Sequence, residues 1–152
     1  MPLRRRIFMK PETRFWKFLE ERVSEMGHFS RVEPPPSPGI PDVNYCIKSI
    51  EGWIELKVRS EIRYPFKKRG LLRASQRRWY KRRIATRGRV LTCVLIGRTI
   101  HLISAQASLR VRRTTTLDEF RMMCSLIILK TDTNLVQELR SCLMSDTYES
   151  NS

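Results

Sequence analysis

Hydrophobic positions along the chain follow two periods. From Pro11 to about Met26 the apolar residues Phe15, Trp16, Leu19 and Val23 recur at helical spacing, with Pro11 suited to a first turn and Gly27 placed to stop the helix. Val43 to Lys48 and Trp53 to Val58 alternate as strands do, and Ser49-Ile50-Glu51-Gly52 between them predicts a hairpin with glycine at the turn. A helical pattern returns from about Arg73 to Arg87, with Gly88 as its left-handed cap. Arg89 to Ile96 is a strongly apolar strand, and Thr99 to Ile103 its neighbour across a turn at Gly97-Arg98. Two further helices are predicted, Thr116 to about Ser125 and Asn134 to Met144, with Thr116 and either Asp132 or Thr133 as N-caps. The order is that of an α/β protein, and no internal repeat is visible.

Between the first helix and the hairpin, residues 33–41 hold five of the eight prolines, which excludes helix or central strand and predicts a stiff, exposed loop. The chain divides into a basic N-terminal tail at 1–10, a single domain at 11–144 and a flexible tail at 145–152. At 152 residues with 41% hydrophobic content, one core can be filled and wholesale disorder is excluded. No apolar run approaches the ~20 residues that span a bilayer, and the first ten residues lack the apolar core of a signal peptide. A soluble, cytoplasmic, nucleoid-associated protein with no membrane partner is expected, and the compact length suits a stand-alone, phage-encoded enzyme.

Charge narrows the partner. Thirty Lys and Arg against fifteen Asp and Glu leave +15. Such an excess works against compaction and in favour of holding a polyanion, with nucleic acid ahead of an acidic membrane or protein. The excess is concentrated: residues 59–89 carry thirteen Lys/Arg and the single acid Glu61, whereas residues 114–152 are net acidic. The four cysteines, Cys46, Cys93, Cys124 and Cys142, form no CxxC pair. With only His28 and His101 to join them, zinc spacing is absent, so buried thiols and structural histidines are expected.

The chemistry-bearing stretch is Pro41-Asp42 followed by Glu55-Leu56-Lys57, the chain's one Asp/Glu-x-Lys. Asp42 opens the first hairpin strand and Glu55 lies on the second, so antiparallel pairing brings the carboxylates together, while alternation puts Glu55 and Lys57 on one face and Ile54, Leu56 and Val58 on the other. Two carboxylates beside an amine suit a hard Mg²⁺ ion, with Mn²⁺ as a substitute, that shares its shell with substrate phosphate. Such an ion polarises a phosphodiester and lowers the pKa of water, and Lys57 would orient that water and offset charge. The competing reading is a solvated hairpin face with an ordinary Glu/Lys cross-pair.

These residues resemble the PD-(D/E)XK nuclease superfamily, in its VRR-NUC and Holliday-junction-resolvase branch. Pro38-Gly39-Ile40-Pro41-Asp42 is similar to the G-x-PD opening of that branch, and Trp53-Ile54-Glu55-Leu56-Lys57 to its ExK strand. Leu72-Arg73-Ala74-Ser75-Gln76-Arg77-Arg78-Trp79 resembles its S-x-x-Q-x-x-W helix opening, with Ser and Gln adjacent here, and Arg87-Gly88-Arg89-Val90 its G-x-x-V. The resemblance implies a restriction-endonuclease-like core, a central mixed β-sheet flanked by helices. It also implies Asp42, Glu55 and the Leu56 carbonyl as metal ligands, Lys57 as catalytic lysine, and Gln76 beside the active site. The branch often adds an acid from the first helix. Glu12 is the candidate, with Glu20 second, against the reading that Glu12 only favours the helix dipole.

On this view Arg59, Arg63, Lys67, Lys68, Arg69, Arg73, Arg77, Arg78, Lys81 and Arg82 bind DNA phosphates. Tyr64, Phe66, Trp79 and Tyr80 could stack on bases, although core packing suits the helix aromatics better. The loop around Pro65 has a second reading as a flap that orders on DNA. The expected activity is metal-dependent endonucleolytic cleavage of branched or flap DNA, as a homodimer in the resolvase version. The alternatives are a non-catalytic basic nucleic-acid-binding module on the same fold and an RNA-packing protein. The acidic C-terminal third is then either a dimer surface or a cover for the sheet.

Overall fold

The computed structural model describes residues 8–145; residues 1–7 and 146–152 lie outside that description and take with them most of the two expected tails. The elements are α1 (Pro11–Val23), β1 (His28–Arg31), β2 (Val43–Ile47), β3 (Ile50–Arg59), α2 (Ala74–Ala85), β4 (Val90–Ile96), β5 (Thr99–Ser104), α3 (Ala105–Ser108), α4 (Leu117–Met123), β6 (Leu126–Leu129) and α5 (Leu135–Met144). The six strands form one sheet in the order β1-β2-β3-β4-β5-β6, antiparallel throughout except for the parallel pair β3–β4. The expected α/β fold with a central mixed sheet flanked by helices is what the chain adopts.

Burial explains the layers. β4 is buried at all seven positions, because an apolar run without alternation can sit only in a sheet covered on both faces. On one face, Phe15, Trp16, Leu19 and Val23 of α1 and Leu135, Leu139 and Leu143 of α5 pack over Tyr45, Ile54, Leu56, Cys93 and Leu102. On the other, Tyr80 of α2 and Phe120 of α4 join Phe66, Leu71 and Leu72 over Val90, Val94, Ile96 and Ile103. The C-terminal helix is thus a cover for the sheet. The cysteines are free and buried or half-buried; burial pushes Cys142 up to about 11 and Cys124 to about 12, and raises Cys93 as well.

Several boundaries differ from expectation for physical reasons. The hairpin turn is at Lys48-Ser49, both at positive φ (46° and 71°), as a two-residue turn with the twist of the strands requires. Gly52 is therefore no turn residue. It pairs with Tyr45, and a Cβ there would lie 2.5 Å from the tyrosine ring, so glycine makes room for a buried aromatic. At the end of α2 the left-handed residue is Arg87 (φ 60°), not Gly88. The bonds Arg87 N–H to Ile84 O and Gly88 N–H to Arg83 O close a Schellman motif there.

α1 ends at Val23, before Gly27 is reached, and α5 begins after Asn134, with Asp132 Oδ1 accepting from the Asn134 N–H in a turn outside the helix. Thr116 does cap α4, its hydroxyl accepting from the Glu119 N–H at 3.1 Å. The short edge strands β1 and β6 and the single-turn α3 carry no period long enough to declare themselves.

Candidate active site

The β2–β3 register pairs Val43 with Ile54, which continues to set Asp42 across from Glu55. β3 runs on past the start of β2. The Leu56 N–H, beyond the last β2 pair, donates to Asp42 Oδ2 at 2.8 Å. In an extended strand a residue's N–H and C=O face the same neighbour, so the Leu56 carbonyl is turned to the Asp42 side as well. Glu55 and Lys57 stand on the face covered by α2, and the Lys57 ammonium is 3.3 Å from Glu55 Oε1.

Gln76, in the first turn of α2, completes the arrangement. Its Nε2 donates to Glu55 Oε1 at 2.7 Å, and its Oε1 accepts from Lys57 Nζ at 3.1 Å and from the Arg73 N–H at 2.9 Å. Glu55 is 4% exposed and Gln76 2%. The structure thus brings Asp42, Glu55, Leu56, Lys57 and Gln76 together, from three elements.

Burial dominates the electrostatics of the site and works against the charged form of all three titratable groups. Burial raises the Glu55 carboxyl to about 7, and the Asp42 carboxylate pushes it the same way, against the pull of Lys57. Asp42 is raised by burial, offset by the Leu56 N–H, the Arg31 and Lys57 charges and a side-chain hydrogen bond with Glu55. Burial lowers Lys57, Arg59 and Arg73 lower it further, and Glu55 opposes them. Glu55 Oε2 is buried and has no hydrogen-bond partner. A buried carboxylate oxygen without a donor is costly unless a proton or a cation meets it. The donor set, two carboxylates and a backbone carbonyl, is all hard oxygen, so the residues present fit a divalent ion of the Mg²⁺ type.

Glu12 lies in the first turn of α1, partly exposed, with its charge felt at Arg59. Among the described residues no three His, Cys, Asp or Glu gather into a metal-holding group. Asp42 and Glu55 are therefore a pair of facing carboxylates and not part of a larger acidic cluster among the described residues. Glu20 is exposed on α1.

The basic residues divide into two kinds. Arg59 is half-buried and structural, donating to Val58 O at 3.0 Å and Gly70 O at 3.2 Å with its guanidinium near the Phe66 ring. Arg77 donates to Leu109 O at 3.0 Å. Arg63, Lys67, Lys68, Arg69, Arg73, Arg78, Lys81 and Arg82 are exposed, Lys68 pairing with Glu61. Phe66 is wholly buried edge-on to Phe120, and Tyr80 is buried with its hydroxyl on Thr92 Oγ1, so neither is a base platform. Trp79 is half-buried beneath Arg83 and edge-on to Trp53; Tyr64 remains partly exposed.

The segment around Pro65 is docked: Phe66, Leu71 and Leu72 are buried and the Leu117 N–H donates to Arg63 O. The two histidines differ in their surroundings. His101 is buried with Nδ1 on Val94 O at 3.2 Å and Nε2 accepting from Arg121 Nε, and burial lowers its pKa; His28 is exposed on β1. Sequence reasoning missed Arg31. It sits beside Asp42 because β1 pairs with β2, a strand that four residues of mixed character do not announce.

No family model and no curated protein matches the chain. Among solved structures it is similar to Hjc of Archaeoglobus fulgidus, a Holliday junction resolvase from an archaeal hyperthermophile, with 16% identity and a TM-score of 0.47 over 64% of this chain and 75% of that one.

Proposed function

We propose that this protein is a metal-dependent endodeoxyribonuclease of the PD-(D/E)XK type. Its working range would be the single domain at 11–144, and it would cut phosphodiester bonds in branched DNA, a Holliday junction or a flap. The observation that carries the reading is the convergence of Asp42, Glu55, Lys57 and Gln76, with Glu55 Oε2 buried and unpartnered beside a basic surface. The choice of branched DNA rests on the likeness of the G-x-PD, ExK and helix-glutamine motifs to the resolvase branch.

Asp42, Glu55 and the Leu56 carbonyl would hold Mg²⁺, or Mn²⁺ in its place. When bound, that ion supplies Lewis-acid polarisation of the phosphate and a lowered pKa for water. The chain does the rest. Lys57, held between Glu55 and Gln76, puts a positive charge where negative charge grows on the phosphoryl oxygens. Gln76 fixes that ammonium and the carboxylate together, so neither has to reorganise during the reaction. The exposed Arg63, Lys67, Lys68, Arg69, Arg73, Arg78, Lys81 and Arg82 neutralise flanking phosphates. One such site per chain suits a two-fold homodimer acting on paired strands inside the cell.

Purified protein is incubated with a four-way junction, a 5′ flap and linear duplex, in Mg²⁺ or EDTA. The reading expects metal-dependent nicking that falls at least about 100-fold in Asp42→Asn and Lys57→Ala while gel-shift binding persists. Cutting by both variants at the parent rate overturns it, and solution mass with and without junction tests the dimer.

A further inference from the structure

The segment between α3 and α4 carries three arginines that the site does not use. Residues 109–116 read Leu-Arg-Val-Arg-Arg-Thr-Thr-Thr, without an acid, and Arg110, Arg112 and Arg113 are all exposed. None of the three takes part in an ion pair among the described residues. Concentrating like charge on a short loop opposes folding unless a polyanion is to be met there.

The loop is nonetheless held firmly. Val111 is buried, Thr115 Oγ1 accepts from the Arg112 N–H at 2.8 Å, and the Thr115 N–H returns to Arg112 O at 3.1 Å. It is also tied to neighbouring elements at two points, and the first residue of α4 adds a third. Arg77 reaches Leu109 O at 3.0 Å from the residue next to Gln76 on α2, so consecutive positions of one helix serve the site and the loop. Arg113 donates to Lys68 O at 3.3 Å, and the Leu117 N–H to Arg63 O at 3.2 Å, both within the loop that follows β3.

We propose that Arg110, Arg112 and Arg113 form a second phosphate-binding patch, which holds the backbone of a duplex DNA arm beside the Asp42–Glu55 site. The inference rests on the reading of the polyanion as DNA. Residues 109–116 include no aromatic ring, so the patch offers backbone contacts and no stacking platform, which suits a paired arm over a single strand. Its preformed backbone removes the ordering cost that a flexible arginine tail would carry on binding. Contacts of this kind position a substrate and carry no base preference.

The experiment is a salt titration of binding in EDTA, with labelled duplex and four-way junction, comparing the parent with a triple Arg110→Gln/Arg112→Gln/Arg113→Gln variant and the matching triple Arg→Lys variant. Each lost phosphate contact removes about 0.9 from the slope of log K against log salt, so the Gln variant is expected to lose about 2 to 3 and the Lys variant to keep the parent slope. The loss should be the same for unrelated base sequences. An unchanged slope in the Gln variant overturns the patch, as does DNA binding unchanged while binding to phosphatidylserine vesicles is lost. Cleavage in Mg²⁺ separates the two readings. If the parent never cuts and the slope still falls, the patch stands and the nuclease reading fails; if the parent cuts and the slope does not move, the reverse holds.

Discussion

Gln76 donates to Glu55 Oε1 at 2.7 Å and accepts from Lys57 Nζ at 3.1 Å, so one amide carried by α2 orients both partners of an ion pair carried by β3. Gln76→Ala should lower cleavage by about 10–100-fold, as loss of an orienting partner does at metal sites, and raise the Mg²⁺ needed for half-maximal rate. A purely structural glutamine would change the unfolding midpoint and leave the Mg²⁺ requirement alone. A metal titration of the cleavage rate distinguishes the two.

The raised Glu55 carboxyl sets a pH dependence of stability in the metal-free protein. Its folded pKa, about 7, lies above the ordinary 4.5, so the folded state binds the proton more tightly than the unfolded state. That contribution is fully present below 4.5 and is lost as pH rises through 7, by up to about 1.4 kcal/mol per pH unit. Asp42, also raised, acts in the same sense. Urea unfolding in EDTA from pH 4.5 to 8 should show a steeper decline for the parent than for Glu55→Gln. Adding Mg²⁺ at pH 7.5 should stabilise the parent more than the variant.

Arg59 and Arg78 belong to the same basic stretch and should fail differently. Arg59→Ala removes donors to Val58 O and Gly70 O and should cost about 1–3 kcal/mol in chemical unfolding. Arg78→Ala, exposed on α2, should stay within about 0.5 kcal/mol of the parent. It should instead lower the salt slope of DNA binding by about 0.9.

Gly52→Ala should destabilise by about 1–3 kcal/mol, the usual cost of overpacking. The new Cβ would meet the ring of Tyr45, which is fully buried and whose hydroxyl donates to Leu143 O at 2.9 Å, so the ring has no free direction to move. Thermal unfolding of the variant checks this.

The legible parts of this fold were those with an internal period or a fixed chemistry. α1, β4 and α5 announce themselves because each buries a stripe or a run of apolar residues. Asp42, Glu55 and Lys57 were legible because a two-residue alternation on a hairpin dictates which side chains share a face. Gln76 was reached through motif likeness alone. The gap between residues 55 and 76 is closed by a crossover whose geometry no local pattern encodes. The hairpin turn was misplaced because Gly52 is the conspicuous turn former, whereas the chain spends that glycine on a ring and lets Lys48 and Ser49 take positive φ. Arg31, Arg59 and Arg77 show the same limit: a cation's charge is plain in sequence, but whether it faces solvent or a carbonyl is decided by tertiary contact.

The single parallel step in the sheet, β3 to β4, has a consequence for assembly. A parallel neighbour cannot be reached by a turn, so residues 60–89 must close as one long excursion before β4 can dock, and loop-closure entropy is concentrated there. A β2–β3 hairpin formed earlier already holds Asp42, Glu55 and Lys57, but the amide that bridges Glu55 and Lys57 arrives only with that excursion. Stopped-flow refolding should therefore show strand signal ahead of Mg²⁺-binding competence, so that a nascent chain would acquire its sheet first and the completed cluster afterwards.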